Sequence, residues 1–317
     1  MTTTYDGVDV DRFAHDSFGK PAIRLEIGME LFFGRPMAAY REQVLEIWNR
    51  FLAWRGTEVM SWARLGGGNK SRKMNTAAYR TIESWLGGKR PYGPICFITV
   101  ESGEWEQLGE ESFRVEGDDE ELSEEEGETT LNFVQVFVPL STADDPDALA
   151  AKLIELAAPL EFVCGSAGLM LHMTPFHNEQ WWKAVRGLVT RFEGVEPDGA
   201  ERSQWRAHFG LTGINWLTFV GPHHLGKLGG IEAVEAKATV APGVTAQRVG
   251  QGIVLRAGPR PRLCDRNKPS PAVEPYRAVH RIVGSALFLD EDYSIGWEDF
   301  DGEATVEWLQ RFGRSTP

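Results

Sequence analysis

One motif in the sequence places a serine in a setting that could support acyl transfer. The run Cys164-Gly165-Ser166-Ala167-Gly168 resembles a nucleophile elbow, in which a serine lies on a tight turn between a strand and a helix. Cys164 replaces the first glycine of that motif, and the apolar residues that follow, Leu169 to Met173, predict a strand where the motif needs a helix. We therefore interpret these small residues as positions of close backbone packing. A serine hydrolase that uses Ser166 with His280 and Asp265 is the alternative hypothesis.

Two further patterns could suggest phosphate or metal binding, but neither has the required spacing. In the run Gly66 to Ser71, Asn69 occupies the position of the glycine that precedes the lysine in a phosphate-binding loop. The histidine pairs lack the i, i+4 spacing that places two ligands on one helix face: His172 with His177, and His223 with His224. The cysteines are too far apart to indicate a disulfide framework or a four-thiolate zinc site: Cys96, Cys164 and Cys264. We predict no metal and no cofactor.

Negative charge is concentrated in one segment of the chain. The 317 residues carry a formal net charge of −13. Between Glu101 and Glu128 there are 14 acidic residues and one basic residue, Arg114, so this segment has a balance of −13 and the rest of the chain is neutral on average. The part from Glu116 to Glu128 has Leu122 as its only large apolar residue, which predicts an exposed, solvated acidic loop. Such a loop is either a simple linker or a surface that attracts a basic partner.

A second acidic segment lies near the C-terminus and contains aromatic residues. Asp290 to Gln310 holds eight carboxylates and no lysine or arginine, together with Trp297. By contrast, Arg55 to Arg90 and Arg256 to Arg281 are rich in basic residues, so we expect a polarised surface. The acidic total disfavours a nucleic-acid-binding protein, because such a protein needs lysine and arginine to neutralise phosphates.

The sequence predicts neither a secretion signal nor a membrane helix. Met1 to Asp16 contains acidic residues where a signal peptide needs a basic patch and an apolar stretch. The most apolar stretch, Leu153 to Met173, is interrupted by Glu155 and Glu161 and is too polar to cross a bilayer. We expect a cytoplasmic protein that does not contact membranes.

The pattern of apolar residues predicts an α+β fold. Apolar positions between Met37 and Leu52 recur every three or four residues, which indicates one buried helix face. The nearly continuous apolar run Leu131 to Val138 indicates a strand in the middle of a sheet. Further strands are predicted at 22–33, 94–100, 169–173, 214–220 and 252–257, and further helices at 76–86, 145–158, 179–192, 222–229 and 276–287.

Strands and helices do not alternate strictly along the chain, so we expect a mixed, largely antiparallel sheet packed against several helices. The expected organisation is an N-terminal extension at residues 1–20 followed by a single domain at residues 21–317. The acidic segment is then an insertion in that domain at about residues 101–129.

Several motifs together resemble the type VI immunity family. The strongest is the run Gly213-Ile214-Asn215-Trp216-Leu217-Thr218-Phe219-Val220-Gly221, followed by Leu228-Gly229-Gly230. Upstream of it, Val138-Pro139-Leu140-Ser141 precedes Gly165-Ser166-Ala167-Gly168-Leu169, and downstream Gly252 to Gly258 precedes Pro261, Asp265, Asn267, Tyr276 and Val279. The resemblance covers roughly Ala22 to Phe288. Cys264 stands where the family pattern has a glycine before the aspartate, so the local turn is expected to differ there.

The resemblance implies a non-catalytic immunity protein that protects a bacterium from a toxin delivered by type VI secretion. Similarity to antidotes of VRR-nuclease toxins implies that this toxin is a nuclease, whose basic groove a carboxylate-rich surface could cover, masking its active site. The residues we predict to contact the toxin are acidic, with one aromatic anchor: Glu116, Asp118, Asp119, Glu120, Glu121, Glu124, Glu125, Glu126, Asp292, Trp297 and Asp299. A protein that binds a basic partner other than a toxin is a third hypothesis.

Overall fold

The computed structural model describes residues 3–12, 22–66, 71–88, 95–103, 108–118, 130–173, 180–295 and 300–314. Two short strands form an N-terminal hairpin: β1 (Thr4–Tyr5) and β2 (Val8–Asp9). The other strands join one eleven-stranded sheet: β3 (Ile23–Phe33), β4 (Trp62–Leu65), β5 (Ser71–Lys73), β6 (Ile95–Glu101), β7 (Ser112–Asp118), β8 (Asn132–Val138), β9 (Phe162–Met173), β10 (Val195–Pro197), β11 (Leu217–Val220), β12 (Val244–Val249) and β13 (Gly252–Ala257).

The sheet is mixed and largely antiparallel, as the sequence predicts. Its order is β12-β13-β11-β9-β3-β8-β7-β6-β4-β5, and β10 pairs with β9 as the parallel pair. The α-helices of the described chain are α1 (Arg41–Arg55), α2 (Thr76–Leu86), α3 (Pro146–Ala157), α4 (Gln180–Arg191), α5 (Ala200–Ser203), α6 (Pro222–Lys227), α7 (Ile231–Val240), α8 (Glu274–Val283) and α9 (Gly302–Leu309). None of these helices is both long enough and apolar enough to span a membrane.

One face of the sheet is apolar and packs against helices. The predicted helix after residue 37 is confirmed as α1, whose buried residues follow the expected spacing: Val44, Ile47, Trp48 and Phe51. The ring of Trp48 lies 4.9 Å from that of Phe113 on β7, edge to face. This contact places α1 over the middle of the sheet, where burial of large aromatic groups stabilises the fold.

The opposite face carries a row of polar residues in adjacent register across seven strands. Its members, here called the polar row, are buried except for the half-buried arginine at its end: Thr218, Ser166, Glu30, Gln135, Arg114, Thr99 and Arg64. Buried polar groups require hydrogen-bond or ionic partners. The polar row therefore requires polar partners, and the segment 195–204 supplies them at Ser166, Gln135 and Arg114.

The acidic segment does not form an exposed loop throughout. Ser112–Asp118 is β7, which pairs with β6 and β8 inside the sheet. Glu116 is thus a half-buried strand residue, although the sequence placed it in the loop. Residues 119–129 lie outside the described residues. Pattern-based prediction missed β7 because its polar residue Arg114 is buried in the polar row and pairs with Glu201 of α5, far away in sequence.

The predicted N-terminal extension includes residues that pack against the rest of the protein. The Tyr5 hydroxyl donates to the Pro261 carbonyl oxygen at 2.8 Å. The Asp6 carboxylate pairs with Arg260 at 2.6 Å and with Arg262 at 3.0 Å. These contacts join the β1–β2 hairpin to the loop after β13.

Two positions show why the family pattern favours small residues. Gly168 has φ +154°, and a Cβ there would lie 2.2 Å from the Asn215 Oδ1 atom, so only glycine fits without disturbance. Cys264 has φ +54°, in the left-handed region that favours glycine. The chain therefore forms a turn suited to glycine before Asp265, with a cysteine in the strained position.

Candidate functional site

The segment 195–204 is held against the polar row by side-chain bonds. The Gln135 Nε2 group donates to Asp198 Oδ1 at 2.9 Å, and the Ser166 hydroxyl donates to the Glu196 carboxylate. Arg114 forms an ion pair with Glu201 of α5. These bonds fix the position of the chain immediately before Trp205.

Burial controls the electrostatics beneath this segment. Burial raises the pKa of Glu30 well above its usual range, and the neighbouring carboxylates Glu196 and Asp198 raise it further. Burial also raises the pKa of Glu196, although Arg311, whose Nη2 lies 3.7 Å away, opposes the shift. The buried Arg311 side chain also donates to the carbonyl oxygens of Glu193 and Ile214. These hydrogen bonds and the ion pair are suited to holding the backbone at Glu193 and Ile214 in position.

Ser166 does not lie on a nucleophile elbow. It is in the middle of β9, is 2% exposed, and donates its hydroxyl hydrogen bond to Glu196. Asp265 accepts two hydrogen bonds from Arg191, at 3.2 and 3.0 Å. The serine and aspartate of the hydrolase hypothesis therefore have partners other than a catalytic histidine, and β9 is longer than the strand predicted from residue 169.

The described residues contain no group of three or more histidine, cysteine or acidic side chains that could hold a metal ion. His172 Nδ1 lies 2.8 Å from the buried Glu26 carboxylate. Burial lowers the pKa of His224 to about 4, and its Nε2 lies 2.8 Å from the Ala207 carbonyl oxygen. His177 and the loop at 67–70 lie outside the described residues.

The acidic residues predicted to contact a partner fall into two groups in the structure. Asp292 is exposed, and its backbone N–H donates to Asp290 Oδ1 at 2.9 Å. Glu116 and Asp118 have internal partners: Glu116 accepts from Gln204 at 3.3 Å, and Asp118 pairs with Arg35 at 2.7 Å. The remaining predicted contacts lie outside the described residues: Asp119, Glu120, Glu121, Glu124, Glu125, Glu126, Trp297 and Asp299.

The two ends of the undescribed acidic segment are fixed beside α5. The Asp118 N–H donates to Asn132 Oδ1 at 2.8 Å, and the Leu131 N–H donates to the Gln204 carbonyl oxygen at 2.9 Å. The chain thus leaves the sheet at Asp118 and returns next to Gln204. Residues 119–129, which include seven carboxylates, connect these two points along the chain.

An exposed apolar surface begins at the next residue. Trp205 and Phe209 are each 47% exposed, and Leu289 is 41% exposed; together we name them the Trp205 patch. The Phe209 ring lies 5.9 Å from that of Phe288, which directly precedes Leu289. The Leu211 carbonyl oxygen accepts from the Phe288 N–H at 3.0 Å, so the two chain segments are held together.

Exposed carboxylates border the Trp205 patch. Glu201 precedes Trp205 by four residues, and Asp290, Glu291 and Asp292 directly follow Leu289. Sequence reasoning missed this surface because a tryptophan and a phenylalanine four residues apart suggest a buried helix face. The available signal was Glu201, which extends the same spacing with a charged residue.

Comparison with solved structures supports the fold. The Pseudomonas aeruginosa T6SS protein PA0821 matches 92% of this chain and 82% of its own length, with a TM-score of 0.75 and 19% sequence identity. No curated protein sequence gives a significant match.

The family resemblance predicted from the motifs around Gly213–Gly221 is confirmed by the whole-sequence comparison. The model of the TsiV family, described as type VI immunity for VRR-NUC, matches residues 39–312, which is most of the chain and includes the motif strands β9, β11 and β13. The chain therefore belongs to the TsiV family of type VI immunity proteins.

Proposed function

We propose that this protein binds a cognate VRR-NUC-type toxin in the cytoplasm and neutralises it by covering the nuclease active site. Membership of the TsiV family carries this proposal. A nuclease acts on nucleic acid, so the cytoplasm is where the toxin meets its substrate and where an antidote is needed. The partner is the secreted toxin, without direct contact to nucleic acid or membrane.

The charge of the chain supports masking of a basic groove. A nuclease must present lysine and arginine to a phosphate backbone. The chain has a net charge of −13, and residues 119–129 contain seven carboxylates and no basic residue. Complementary charge of this kind accelerates encounter and favours one orientation of approach. The segment at 119–126, together with Asp292 and Asp299, is the proposed charged contact.

The test of the proposed function uses a candidate VRR-NUC-type toxin, sought first among the genes that neighbour the gene of this chain. Co-expression should restore the growth of cells that make the toxin, and the two proteins should purify together. A nuclease-inactive toxin should bind a fluorescent DNA duplex, and added immunity protein should displace that DNA competitively. Absence of a complex would reject the function, whereas a ternary complex with bound DNA would reject masking.

A scaffold for another basic protein predicts a different outcome. It would form no complex with the neighbouring toxin and would give no protection, while still binding a basic protein such as a histone-like control through charge alone. At about 0.3 M salt, exposed charges are largely screened. A specific immunity protein should still bind the toxin at this salt concentration and should no longer bind the control protein, which distinguishes it from such a scaffold.

A further inference from the structure

We propose that the Trp205 patch is the apolar anchor of the toxin interface and that it enters an apolar depression bordered by basic side chains on the nuclease. This inference rests on the proposed function and assigns the contact that holds the complex together. It differs from the sequence-based expectation, in which Trp297 was the aromatic anchor.

The exposure of these residues is unusual within the described chain. Its exposed large hydrophobic residues are Trp205, Phe209, Leu289 and Val240. The first three lie on two segments that backbone bonds join, from Leu211 to Ala286 and to Phe288. Clustered exposed apolar groups mark interaction sites more often than isolated ones do. Tryptophan and other aromatic residues are also enriched among the residues that dominate binding energy.

The backbone that carries the patch is well ordered by its contacts. The Leu211 N–H donates to the Ala286 carbonyl oxygen at 2.7 Å, and the Arg206 guanidinium lies over the Tyr293 ring at 4.5 Å from its centroid. A Cβ on Gly210 would lie 2.6 Å from the Phe288 backbone nitrogen, which shows how closely the two segments approach. A preorganised patch loses little conformational entropy on binding.

Charge favours a basic protein as the occupant. Exposed carboxylates lie beside the patch at Glu201 and at residues 290–292, and Leu131, two residues after the acidic segment 119–129, is bonded to Gln204. Two cations lie near the patch and each contacts a neutral group: Lys227 donates to the Phe209 carbonyl oxygen at 2.6 Å, and Arg206 lies over Tyr293. A second copy of this chain would bring like charges together across a two-fold interface, which disfavours self-association.

The charged rim and the aromatic centre of the interface should have different kinetic roles. Carboxylates at the rim and in the acidic segment should set the association rate, whereas the desolvated aromatic centre should set the dissociation rate. Removal of the anchor should therefore accelerate dissociation and leave the salt dependence of association unchanged.

The experiment measures association and dissociation rates with immobilised nuclease-inactive toxin. Trp205→Ala and Phe209→Ala should each raise Kd about thirtyfold, mainly through faster dissociation. Trp205→Phe should recover part of the loss. Val240→Ala is the matched control, because Val240 is an exposed apolar residue on α7, 82% exposed and outside the patch, and its Kd should not change. Thermal melting of each variant verifies folding.

Different failures have different meanings. If wild-type protein binds and neutralises the toxin but both alanine variants bind equally well, the patch is not the anchor and the proposed function stands. If the wild-type protein does not bind the toxin, both the proposed function and the proposed anchor are rejected. If Trp205→Ala changes the mass measured by sedimentation instead of toxin binding, a second copy occupies the patch and the inference is wrong.

Discussion

Several glutamates of this chain are buried in places where ionisation is unfavourable. Burial raises the pKa of Glu101 to about 7, and the nearby cationic groups of His172 and Arg114 only partly oppose it. One carboxylate oxygen of Glu101 has no hydrogen-bond partner among the described residues. Burial likewise raises the pKa of Glu30 and Glu196. Because burial raises the pKa of each of these residues in the folded state, they link stability to pH.

Glu101→Gln should stabilise the protein at alkaline pH. The Glu101 pKa is 4.5 in its ordinary state and about 7 in the fold, so its protonated form contributes stability that is complete below pH 4.5 and is lost as the pH rises through 7. A neutral amide removes this loss, and the free energy of unfolding at pH 8 should rise by roughly 1–3 kcal/mol. Urea unfolding at pH 5 and pH 8 measures the effect.

The exposed Glu58 provides the control for this prediction. Glu58→Gln should change stability little at either pH, because the Glu58 side chain is exposed to solvent. A Glu101→Gln variant whose unfolding free energy shows the same pH dependence as wild type would contradict the assignment of Glu101 as a pH-linked group.

Ser166→Ala removes the Ser166 hydroxyl group and so tests the alternative hypothesis that this protein is a serine hydrolase. The Ser166 hydroxyl donates to the Glu196 carboxylate inside the protein, so its loss should lower the free energy of unfolding by about 1–2 kcal/mol. Protection of cells against the toxin should persist while the folded population remains high. Urea unfolding and survival in co-expression check the two outcomes, and loss of protection in a well-folded Ser166→Ala protein would favour the hydrolase.

At the scale of elements, strong apolar patterns predicted the elements around the centre of the sheet. The strands β3, β8 and β13 were identified because burial on both faces makes them rich in apolar residues, and the helices α1 and α3 because burial of one face gives a period of 3.6 residues. Pattern alone missed β7 and α9, whose sequences lie in the acidic segments. Arg114 of β7 is buried because Glu201, far away in sequence, pairs with it. A short stretch of sequence around β7 cannot reveal this ion pair, because the partner lies outside it.

Gly168→Ala should destabilise the strand pair at the centre of the motif region. The substitution forces a side chain into φ +154° and 2.2 Å from Asn215 Oδ1, and it should cost about 3 kcal/mol or more. Gly187→Ala, on the exposed face of α4 with no atom within 4 Å of its added Cβ, should stabilise the protein by about 0.5–1 kcal/mol. Thermal unfolding of both variants measures the two effects. Equal changes in melting temperature would contradict the prediction, because they would mean that the residues around Gly168 move to accommodate the added methyl group.

At the scale of the whole molecule, composition predicted acidic segments but not where tertiary structure places them. Leu131, two residues after the acidic segment 119–129, is bonded to Gln204, which precedes Trp205, and the exposed carboxylates of residues 290–292 directly follow Leu289. Trp205 and Phe209 could not be distinguished from core residues by sequence, because the fold determines which aromatic side chains are covered. Internal pairing of Glu116 and Asp118 likewise removes them from the set of freely available charges.

The location of the negative charge, rather than its total, should govern toxin association. Six carboxylates replaced by serine form the test variant: Asp119, Glu120, Glu121, Glu124, Glu125 and Glu126. Six exposed carboxylates on and around α1 to α3, replaced in the same way, form a control with an equal change in net charge: Glu42, Glu46, Glu58, Glu83, Asp147 and Glu155.

In stopped-flow measurements from about 0.02 to 0.5 M salt, the test variant should associate about tenfold more slowly at the lowest salt, and its rate should depend less on salt. Its dissociation rate should remain close to that of wild type, because rim charges act mainly on encounter. The control should keep most of the wild-type rate and salt slope. Equal slowing of both variants would mean that long-range net charge attracts the toxin, and the acidic segment would then have no special role beside the Trp205 patch.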